Sequence, residues 1–301
     1  MKAVQLHGYG DVDQLAYEDV PAPKPGPGEV LVKVAVTSVN PIDWKIRKGD
    51  LKAVMPLRFP VILGRDVAGE VVESGANVSK WKPGQKVMGV VNRSYAEFLT
   101  APAEVLALVP EGLDMEQAGV LPLVVTTGAQ LADHAQPKSG KTILVTGALG
   151  QVGRSAVYAA KQKGARVIAG VRAQQKQDAG ALGADQVVAI DSDTEIDALP
   201  ELDAIADTVD HDVIGKLLRK LKRGGVLASV VGKPKAAEGN DIQVAAFVSQ
   251  PDAARLEKLA EAVRAGALTI PIARRFKLSE AREAQKVSEQ GRTDGKIALV
   301  V

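Results

Sequence analysis

Val145–Arg172 reads VTGALGQVGRSAVYAAKQKGARVIAGVR, and this stretch decides the fold class of the chain. An apolar strand leads into a glycine-rich turn, a helix follows, and a second apolar strand comes after the helix. Three glycines are evenly spaced, Gly147, Gly150 and Gly153, and Ala148 stands where a strict G-x-G-x-x-G fingerprint has its first glycine. A strand, a glycine turn, a helix and a second strand within about 28 residues form the context that a dinucleotide-binding fingerprint requires. The stretch therefore predicts a dinucleotide-binding turn.

The turn has the residue types that a pyrophosphate needs. Gly150 lacks a Cβ atom, so backbone can approach a phosphate closely, and the predicted helix over Arg154–Lys163 presents free amides at its start. Gly153 lets the helix and the first strand pack tightly. The alternative is a glycine-rich turn that binds no ligand. The residues assigned to the cofactor here are Gly150, Gln151, Val152 and Gly153.

The end of the second strand indicates which dinucleotide binds. NAD sites place an Asp or Glu there, about 20 residues after the glycines, to bind the ribose hydroxyls. Here residues 169–176 contain no carboxylate, whereas Val171 is followed by Arg172 and then by Lys176. A guanidinium forks onto a phosphate and a lysine adds a second positive charge. We therefore assign Val171, Arg172 and Lys176 to the cofactor and predict NADPH (NADP), the alternative being that both cations are solvated at a helix start.

The chain changes character near residue 121. Before it, β-branched runs such as GEVLVKVAVTSV and DVAGEVVESG alternate with proline- and glycine-rich turns, which predicts a mainly β domain. Beyond it, apolar strands of about five residues alternate with helical stretches, as in the βαβ units of a doubly wound parallel sheet. The last segments, ARLEKLAEAVRAG, LSEAREAQKVSEQG and KIALVV, predict two amphipathic helices and a strand. We expect residues 121–254 to form the nucleotide domain, and residues 1–120 with 255–301 to form the other domain.

Composition argues against several classes of protein. The 38 Lys and Arg residues against 36 Asp and Glu leave a formal charge of +2, which gives no reason to expect a nucleic-acid partner. No cysteine is present and only three histidines occur, so no zinc site is expected. No run approaches the roughly 18 apolar residues of a membrane span, and the first residues lack a signal-peptide core. We expect a cytoplasmic protein with no metal and no membrane or nucleic-acid partner.

Segments along nearly the whole chain carry a family resemblance. They include PGPGEVLVKVAVTSVNPIDWKIRKGD, FPVILGRDVAGEVVESGANVSKWKPGQKVMG, SYAEFLTAP, LPLVVTTG, the glycine turn and the closing DGKIALVV. In order and spacing they resemble the zinc-free branch of the medium-chain dehydrogenase/reductase superfamily, the quinone oxidoreductases related to ζ-crystallin. The resemblance implies an α/β fold with a GroES-like, mainly β catalytic domain, a Rossmann NADP(H)-binding domain, and a chain end that returns to the first domain. It also implies a homodimer that pairs through strands near Val244 to Ser249.

Two segments differ from those of the zinc-dependent alcohol dehydrogenases in the same superfamily. Asn40 stands where those enzymes have a zinc-binding cysteine, and Arg65 stands where they have a histidine. A guanidinium cannot ligate zinc, and without a Lewis acid nothing stabilises an alkoxide during alcohol oxidation. Reduction of a quinone or an activated C=C needs less stabilisation by the protein, because such an acceptor is already electrophilic. We expect Asp43 and Asp66 to be structural, and Arg65 to pair with one of them or to steer an anionic cofactor.

The implied reaction is hydride transfer from C4 of NADPH to a quinone or another activated conjugated carbonyl acceptor, with proton uptake. The alternatives are an NADPH-dependent alkenal or enone reductase and a non-catalytic NADPH-binding protein. Asn40 is predicted to contact the nicotinamide and the acceptor oxygen, or else to form a turn before Pro41. Trp44 is predicted to be a flat wall for a planar acceptor, or else to pack in the core. Tyr95, at the expected pocket edge, is a candidate proton donor, with a packing role favoured.

Further cofactor positions are implied by the resemblance alone. Thr127 matches a threonine on the nicotinamide side, and the strand end at 230–232 and the segment 247–248 match backbone that lines the nicotinamide pocket. Ile190 stands where relatives often have a tyrosine near the adenosine end, which places more weight on Arg172 and Lys176. The positions assigned in this way are Asn40, Pro41, Thr127, Val230, Val231, Gly232, Phe247 and Val248.

Overall fold

The computed structural model describes residues 1–209, 211–291 and 293–301, without the side chain of His211. Within these residues the chain forms sixteen β-strands and nine α-helices. The strands are β1 (Lys2–Leu6), β2 (Leu15–Asp19), β3 (Glu29–Val39), β4 (Val61–Ile62), β5 (Asp66–Ser74), β6 (Lys86–Val90), β7 (Phe98–Pro102), β8 (Leu106–Leu108), β9 (Thr142–Thr146), β10 (Arg166–Val171), β11 (Gln186–Ala189), β12 (Leu202–Asp207), β13 (Leu221–Ser229), β14 (Gln243–Ala246), β15 (Ile272–Lys277) and β16 (Lys296–Val300). The helices are α1 (Pro41–Lys48), α2 (Met115–Val120), α3 (Pro122–His134), α4 (Gln151–Gln162), α5 (Lys176–Ala179), α6 (Asp193–Asp197), α7 (His211–Leu217), α8 (Ala253–Arg264) and α9 (Ala281–Gln290).

The chain divides into two compact units. The first unit consists of residues 1–123 and 251–301, and the second unit consists of residues 124–250. The division therefore falls at residues 123 and 250, where the sequence places the boundaries at 120 and 254.

The first unit is mainly β. It contains a three-stranded sheet in the order β2-β1-β4 and a larger sheet in the order β15-β16-β3-β5-β6-β8, in which β7 also pairs with β3. The long strand β3 alternates as a half-buried strand does, because Val30, Val32 and Val34 are buried whereas Lys33 is exposed. The last strand, β16, pairs antiparallel with β3, so the final residues of the chain belong to the core of this unit.

The second unit is a doubly wound parallel sheet. Its six strands lie in the order β11-β10-β9-β12-β13-β14, and every neighbouring pair is parallel. This is the strand order of a Rossmann fold, with the change in winding direction between β9 and β12. Apolar side chains of the strands and of α4 form its buried core. The α/β fold class expected from the sequence is confirmed.

The glycine turn connects β9 to α4 as predicted, but the helix begins earlier than the sequence suggests. α4 starts at Gln151, with Gly150 as its N-cap, rather than at Arg154. Gly153 therefore lies inside the first turn of the helix, where a Cβ atom would lie 2.2 Å from the carbonyl oxygen of Gly147. Gly147 itself has a φ of +58°, in the left-handed region. The helix can reach this depth only because Gly153 has no side chain.

We expect Gly153→Ala to lower the free energy of unfolding by roughly 1–3 kcal/mol, because the added methyl group overlaps backbone that cannot move away. Gly150→Ala is the matched control, since a Cβ atom there would meet the Gly147 carbonyl oxygen at 3.1 Å and no other atom within 4 Å. Urea denaturation of both variants, followed by circular dichroism, measures the difference. Equal losses in the two variants would contradict the packing argument.

Candidate functional site

A cavity of about 500 Å³ lies at the carboxyl ends of β9, β10, β11 and β12 in the second unit. Each of these parallel strands contributes the residues that follow it, because parallel strands end at the same edge of a sheet. This edge, beside the change in winding direction, is where α/β sheets bind their ligands. The lining residues are Gly147, Leu149, Gly150, Val171, Arg172, Gln175, Ile190, Asp191, Thr208, Val209, Asp212 and Val213.

The glycine turn and the start of α4 form an anion-binding surface at this cavity. Gly150 lines the cavity, and Gln151, Val152 and Gly153 form the first turn of the helix. The N–H groups of a first helical turn have no carbonyl partner within the helix, and the helix dipole favours negative charge there. The open space at Gly150 allows a phosphate to approach those N–H groups. The residues present therefore fit the pyrophosphate of a nicotinamide dinucleotide.

Apolar side chains form the walls of the same cavity. Leu149, Ile190, Val209 and Val213 all line it, and Ile190 is buried. These residues offer an apolar surface against which an adenine ring can pack. Ile190, which stands where the resemblance implies a tyrosine, contributes an aliphatic wall to the cavity.

Arg172 lies where the sequence predicts it, directly after β10 at the cavity. It is exposed, and its Nε donates to Gln175 Oε1 at 3.3 Å. Within the described part of the chain it forms no ion pair with a carboxylate. Its charge is therefore available to an anionic ligand.

Lys176 does not take the position that the sequence predicts. Its Nζ donates to both carboxylate oxygens of Glu195, at 2.9 and 2.8 Å, and Glu195 also accepts from the N–H of Ala189. Lys176 is not among the residues that line the cavity. In this structure an acid from α6 holds Lys176 outside the cavity lining, and its predicted contact with a 2′-phosphate stays a prediction.

A carboxylate from the neighbouring strand also lies at this end of the cavity. The sequence places none at the end of the second strand, yet Asp191, which follows β11, lines the cavity together with Arg172. Its Oδ1 accepts from the N–H of Ala173 at 2.8 Å. Asp191 reaches this end of the cavity from the neighbouring strand β11, so the sequence of β10 alone does not reveal it.

Thr127, the position predicted on the nicotinamide side, is buried on α3. The next residue, Gly128, packs so closely on α4 that a Cβ atom would lie 2.3 Å from the carbonyl oxygen of Val152. Ser155 of α4 also donates to the Val125 carbonyl. The structure thus brings Thr127 close to the first turn of α4.

The remaining predicted positions follow the next two strands at the same edge of the sheet. Val230, Val231 and Gly232 come directly after β13, and Gly232 has a φ of +107°. Phe247 and Val248 come directly after β14. Phe247 packs on the core and on the His134 ring, whereas Val248 is 78% exposed.

A buried carboxylate that the sequence analysis missed fastens the strand ends together. Asp207, the last residue of β12, accepts from Thr146 Oγ1 of β9 and from Ser229 Oγ of β13, both at 2.9 Å. Thr208 also donates to the Thr146 carbonyl. The sequence signal was an acid that follows the apolar run Ala204–Ala206 at the end of the strand LDAIAD.

In the first unit, the start of α1 lies beside a buried network of charged and polar groups. Lys296, at the start of β16, is only 4% exposed, and its Nζ donates to Asn40 Oδ1 at 2.6 Å and to Asp66 Oδ2 at 3.2 Å. Asp66 Oδ2 also accepts from Asn40 Nδ2 at 2.8 Å and from the hydroxyl of Ser38. The other oxygen of Asp66 accepts from the N–H of Leu123. Sequence reasoning missed Lys296, although a lysine that opens an apolar strand was a signal.

This network changes the interpretation of Asn40. The side chain is 1% exposed, and both ends of its carboxamide are bonded, to Lys296 and to Asp66. In this conformation protein groups engage both ends of the carboxamide, and its predicted contact with the nicotinamide and the acceptor oxygen stays a prediction. The alternative, an asparagine that precedes Pro41 at the helix start, describes the geometry.

Tyr95 and Asp43 form a second buried pair next to this network. Asp43 Oδ2 accepts from the Asn40 N–H at 2.8 Å and from the Tyr95 hydroxyl at 3.0 Å. Burial raises the pKa of Asp43 to about 7, against the lowering effect of these two hydrogen bonds. Burial and the neighbouring Asp43 charge also raise the pKa of Tyr95 well above its ordinary value. Tyr95 is fully buried rather than at a pocket edge, so its packing role is the one that the geometry favours.

Trp44 lies on α1 and is half-buried. Its indole N–H is buried and has no hydrogen-bond partner among the described residues, and the Lys45 Nζ lies 5.7 Å from the ring centroid.

Arg65 corrects another expectation, since its Nη1 donates to Asn92 Oδ1 at 2.6 Å and it pairs with neither Asp43 nor Asp66. The aspartates are structural, but they hold Asn40, Tyr95 and Lys296 instead.

The described residues contain neither a cluster suited to a metal ion nor a helix suited to a bilayer. No group of three or more His, Cys, Asp and Glu side chains there is arranged to hold a metal ion. None of the helices in that part of the chain is both long enough and apolar enough to cross a bilayer.

Comparisons with known proteins identify the family. The model of the alcohol dehydrogenase GroES-like domain matches residues 26–111, and that of the zinc-binding dehydrogenases matches residues 182–299. The chloroplast envelope quinone oxidoreductase homolog of Arabidopsis thaliana is 32% identical over 324 aligned positions, which cover 99% of this chain and 98% of that protein. The solved structure of the quinone oxidoreductase from Coxiella burnetii has a TM-score of 0.89 at 32% identity and covers 100% of this chain and 99% of its own. The chain belongs to the quinone oxidoreductase family.

Another relative is named for a different class of acceptor. The chloroplastic NADPH-dependent alkenal/one oxidoreductase of Arabidopsis thaliana is 34% identical over 248 positions, 77% of this chain and 63% of that protein. The resemblance drawn from the sequence is confirmed, and with it the pairing of a GroES-like domain with a nucleotide-binding domain. As a member of the quinone oxidoreductase family, the protein is an oxidoreductase that uses a nicotinamide cofactor and a small-molecule substrate.

The buried carboxyl of Asp43 gives this quinone oxidoreductase family member a pH-dependent stability. Because its pKa is raised from 3.8 to about 7, the folded state holds a proton that the unfolded chain releases, and stability falls as pH rises from about 4 to about 7. We expect Asp43→Asn to remove this slope, roughly 1.4 kcal/mol for each pH unit inside the window. The amide oxygen of the replacement can accept both hydrogen bonds, because both go to one oxygen of Asp43. Melting curves of the two proteins from pH 4 to pH 8 that stay parallel would refute this assignment.

We expect Lys296→Met to lower the free energy of unfolding by roughly 3–5 kcal/mol, because it leaves the Asp66 carboxylate buried without its cation. The double variant Asp66→Asn/Lys296→Met removes both charges and lets the Asn40 carboxamide turn over to accept from the new amide. It should therefore be more stable than Lys296→Met alone. Urea denaturation of the wild type, the two single variants and the double variant gives the coupling energy, and strictly additive losses would be the contrary result.

Proposed function

We propose that this protein transfers hydride from NADPH to a quinone or another activated conjugated carbonyl compound. The observation that carries the proposal is the cavity at the switch point of the parallel sheet, where the glycine turn and Arg172 lie together. A pyrophosphate fits the first, and an additional phosphate on the adenosine ribose fits the second. NADPH appears in the name of one relative, the alkenal/one oxidoreductase, which supports the same choice.

The chain contributes binding, orientation and exclusion of water to the reaction. When bound, the reduced nicotinamide supplies a hydride ion, and one proton completes the reduction of the acceptor. Gly150 and the first turn of α4 hold the pyrophosphate, and Arg172 holds the 2′-phosphate. Thr127, the residues after β13 and those after β14 are proposed to orient the nicotinamide end. Fixing the cofactor in this way turns a bimolecular reaction into an effectively unimolecular step.

The residues assigned to the acceptor need revision from the sequence-based set. Trp44 keeps its proposed role as a wall for a planar ring, because its side chain is only partly covered. Asn40 and Tyr95 are proposed instead to support the start of α1 from within the buried network, since neither presents a free polar group. Pro41 is the first residue of that helix and shares its position.

We propose that the reaction proceeds without zinc. One of the matching family models describes zinc-binding dehydrogenases, but this chain has no cysteine, and Arg65 supplies no ligand at the position of the usual histidine. Asn40 is engaged by Lys296, whose ammonium ion already supplies a positive charge next to Asp66. Alcohol oxidation is therefore disfavoured relative to reduction of an acceptor that is already electrophilic.

A homodimer is also proposed. β14 lies at the edge of the six-stranded sheet, and in the described residues it pairs with β13 alone. An open edge strand can pair with a second copy of itself, and the exposed Val248 next to it would be covered by such pairing.

We expect steady NADPH consumption when the protein is given 1,4-benzoquinone. The loss of absorbance at 340 nm measures this consumption. A panel of 2-alkenals and 2-cyclohexenone, run in parallel, separates the quinone reaction from enone reduction. Consumption with alkenals alone would replace the quinone proposal with the alkenal one. Tight NADPH binding with no turnover of any acceptor would favour a non-catalytic binding protein.

A further inference from the structure

We propose that Asp191 is a specificity-determining residue of the cofactor cavity, which binds the adenosine ribose hydroxyls of NADH and limits the preference for NADPH. The inference deepens the proposed function and rests on its cofactor site. It assigns a role to a residue that the sequence analysis did not consider.

Two neighbouring strands present opposite charges at this end of the cavity. β10 and β11 are parallel, with Val171 opposite Ala189, and the Ile190 N–H bonds to the Val171 carbonyl. Arg172 directly follows β10, and Asp191 follows β11 by two residues, so both lie at the same edge of the sheet. Both line the cavity.

The Asp191 carboxylate is held in place with one oxygen to spare. Its Oδ1 accepts from the Ala173 N–H at 2.8 Å, and this anchor is the residue after Arg172. Its Oδ2 has no hydrogen-bond partner within residues 1–209, 211–291 and 293–301. A carboxylate so placed can accept from a ribose hydroxyl, the contact that NAD sites usually obtain from an acid at the end of the second strand.

The charges on the cavity lining do not favour a 2′-phosphate as strongly as the sequence suggests. Among the described lining residues, Arg172 is the one cation, whereas Asp191 and Asp212 are both carboxylates. Lys176, which would add a second cation, is held by Glu195. A phosphate monoester carries up to two negative charges near neutral pH, so Asp191 repels it while Arg172 attracts it.

Asp191→Asn separates these effects cleanly. The amide keeps an oxygen for the Ala173 N–H and removes the charge, so the loop after β10 should keep its shape. We expect NADPH to bind about tenfold more tightly to this variant, because a like charge near the phosphate is lost. NADH should bind about three- to tenfold more weakly, because a charged acceptor of the ribose hydroxyls becomes a neutral one. Titrations followed by coenzyme fluorescence measure both constants without any turnover.

Three further variants test the assignment. Asp212→Asn removes a carboxylate from α7 that also lines the cavity but is not anchored beside Arg172, and the ratio of the two constants should change less than about threefold. Arg172→Ala should weaken NADPH far more than NADH. Asp191→Ser, which removes the charge without preserving the carboxamide shape, should move the ratio in the same direction as Asp191→Asn.

The outcomes separate this inference from the proposed function. If NADPH and NADH change equally in Asp191→Asn and Asp191→Ser, the role of Asp191 is wrong while cofactor binding stands. If Asp212→Asn moves the ratio as far as Asp191→Asn, general charge rather than Asp191 sets the preference, and the inference fails. If the wild-type protein binds neither coenzyme, the proposed function fails together with it.

Discussion

The close approach of α4 to the turn after β9 is the contact on which the cofactor site depends. Gly153 lies so near the Gly147 carbonyl that even one methyl group would overlap it. This contact directs the first helical turn at the cavity, and therefore its free N–H groups and its dipole. Asp207 secures the same region from the other side by joining the ends of β9, β12 and β13 through Thr146 and Ser229. The anion site is thus a consequence of backbone packing and does not require a charged side chain.

Parallel strand order then determines which side chains meet at that site. Residues far apart in the sequence, such as Arg172 and Asp191, reach the same edge because β10 and β11 are neighbours. The same rule gives Lys176 a partner in Glu195 of α6, whose carboxylate accepts from its ammonium group. We therefore propose that selectivity between coenzymes depends on pairings across strands, which a single βαβ unit does not contain.

The sequence predicted the features that depend on local pattern, and it failed where distant segments meet. The glycine spacing, the strand β9 and the final strand β16 follow from periodicity and glycine chemistry, and the structure has them. The sequence does not reveal that the Asn40 carboxamide is engaged, because its partners, Asp66 and Lys296, are 26 and 256 residues away along the chain. The bonds of Asn40 and Lys176 could not be predicted from the sequence, because a polar side chain near a site bonds to whatever residues the fold brings beside it.

The two units use charge in opposite ways. In the first unit Lys296, Asp66 and Asp43 are buried, and each has partners that offset the cost of losing hydration. Such groups fix one arrangement of the helix start from within the core. In the second unit Arg172 and Asp191 are exposed and remain hydrated, so they cost little until a ligand displaces that water. We therefore propose that the exposed pair discriminates between ligands, whereas the buried charges stabilise the fold and hold the start of α1.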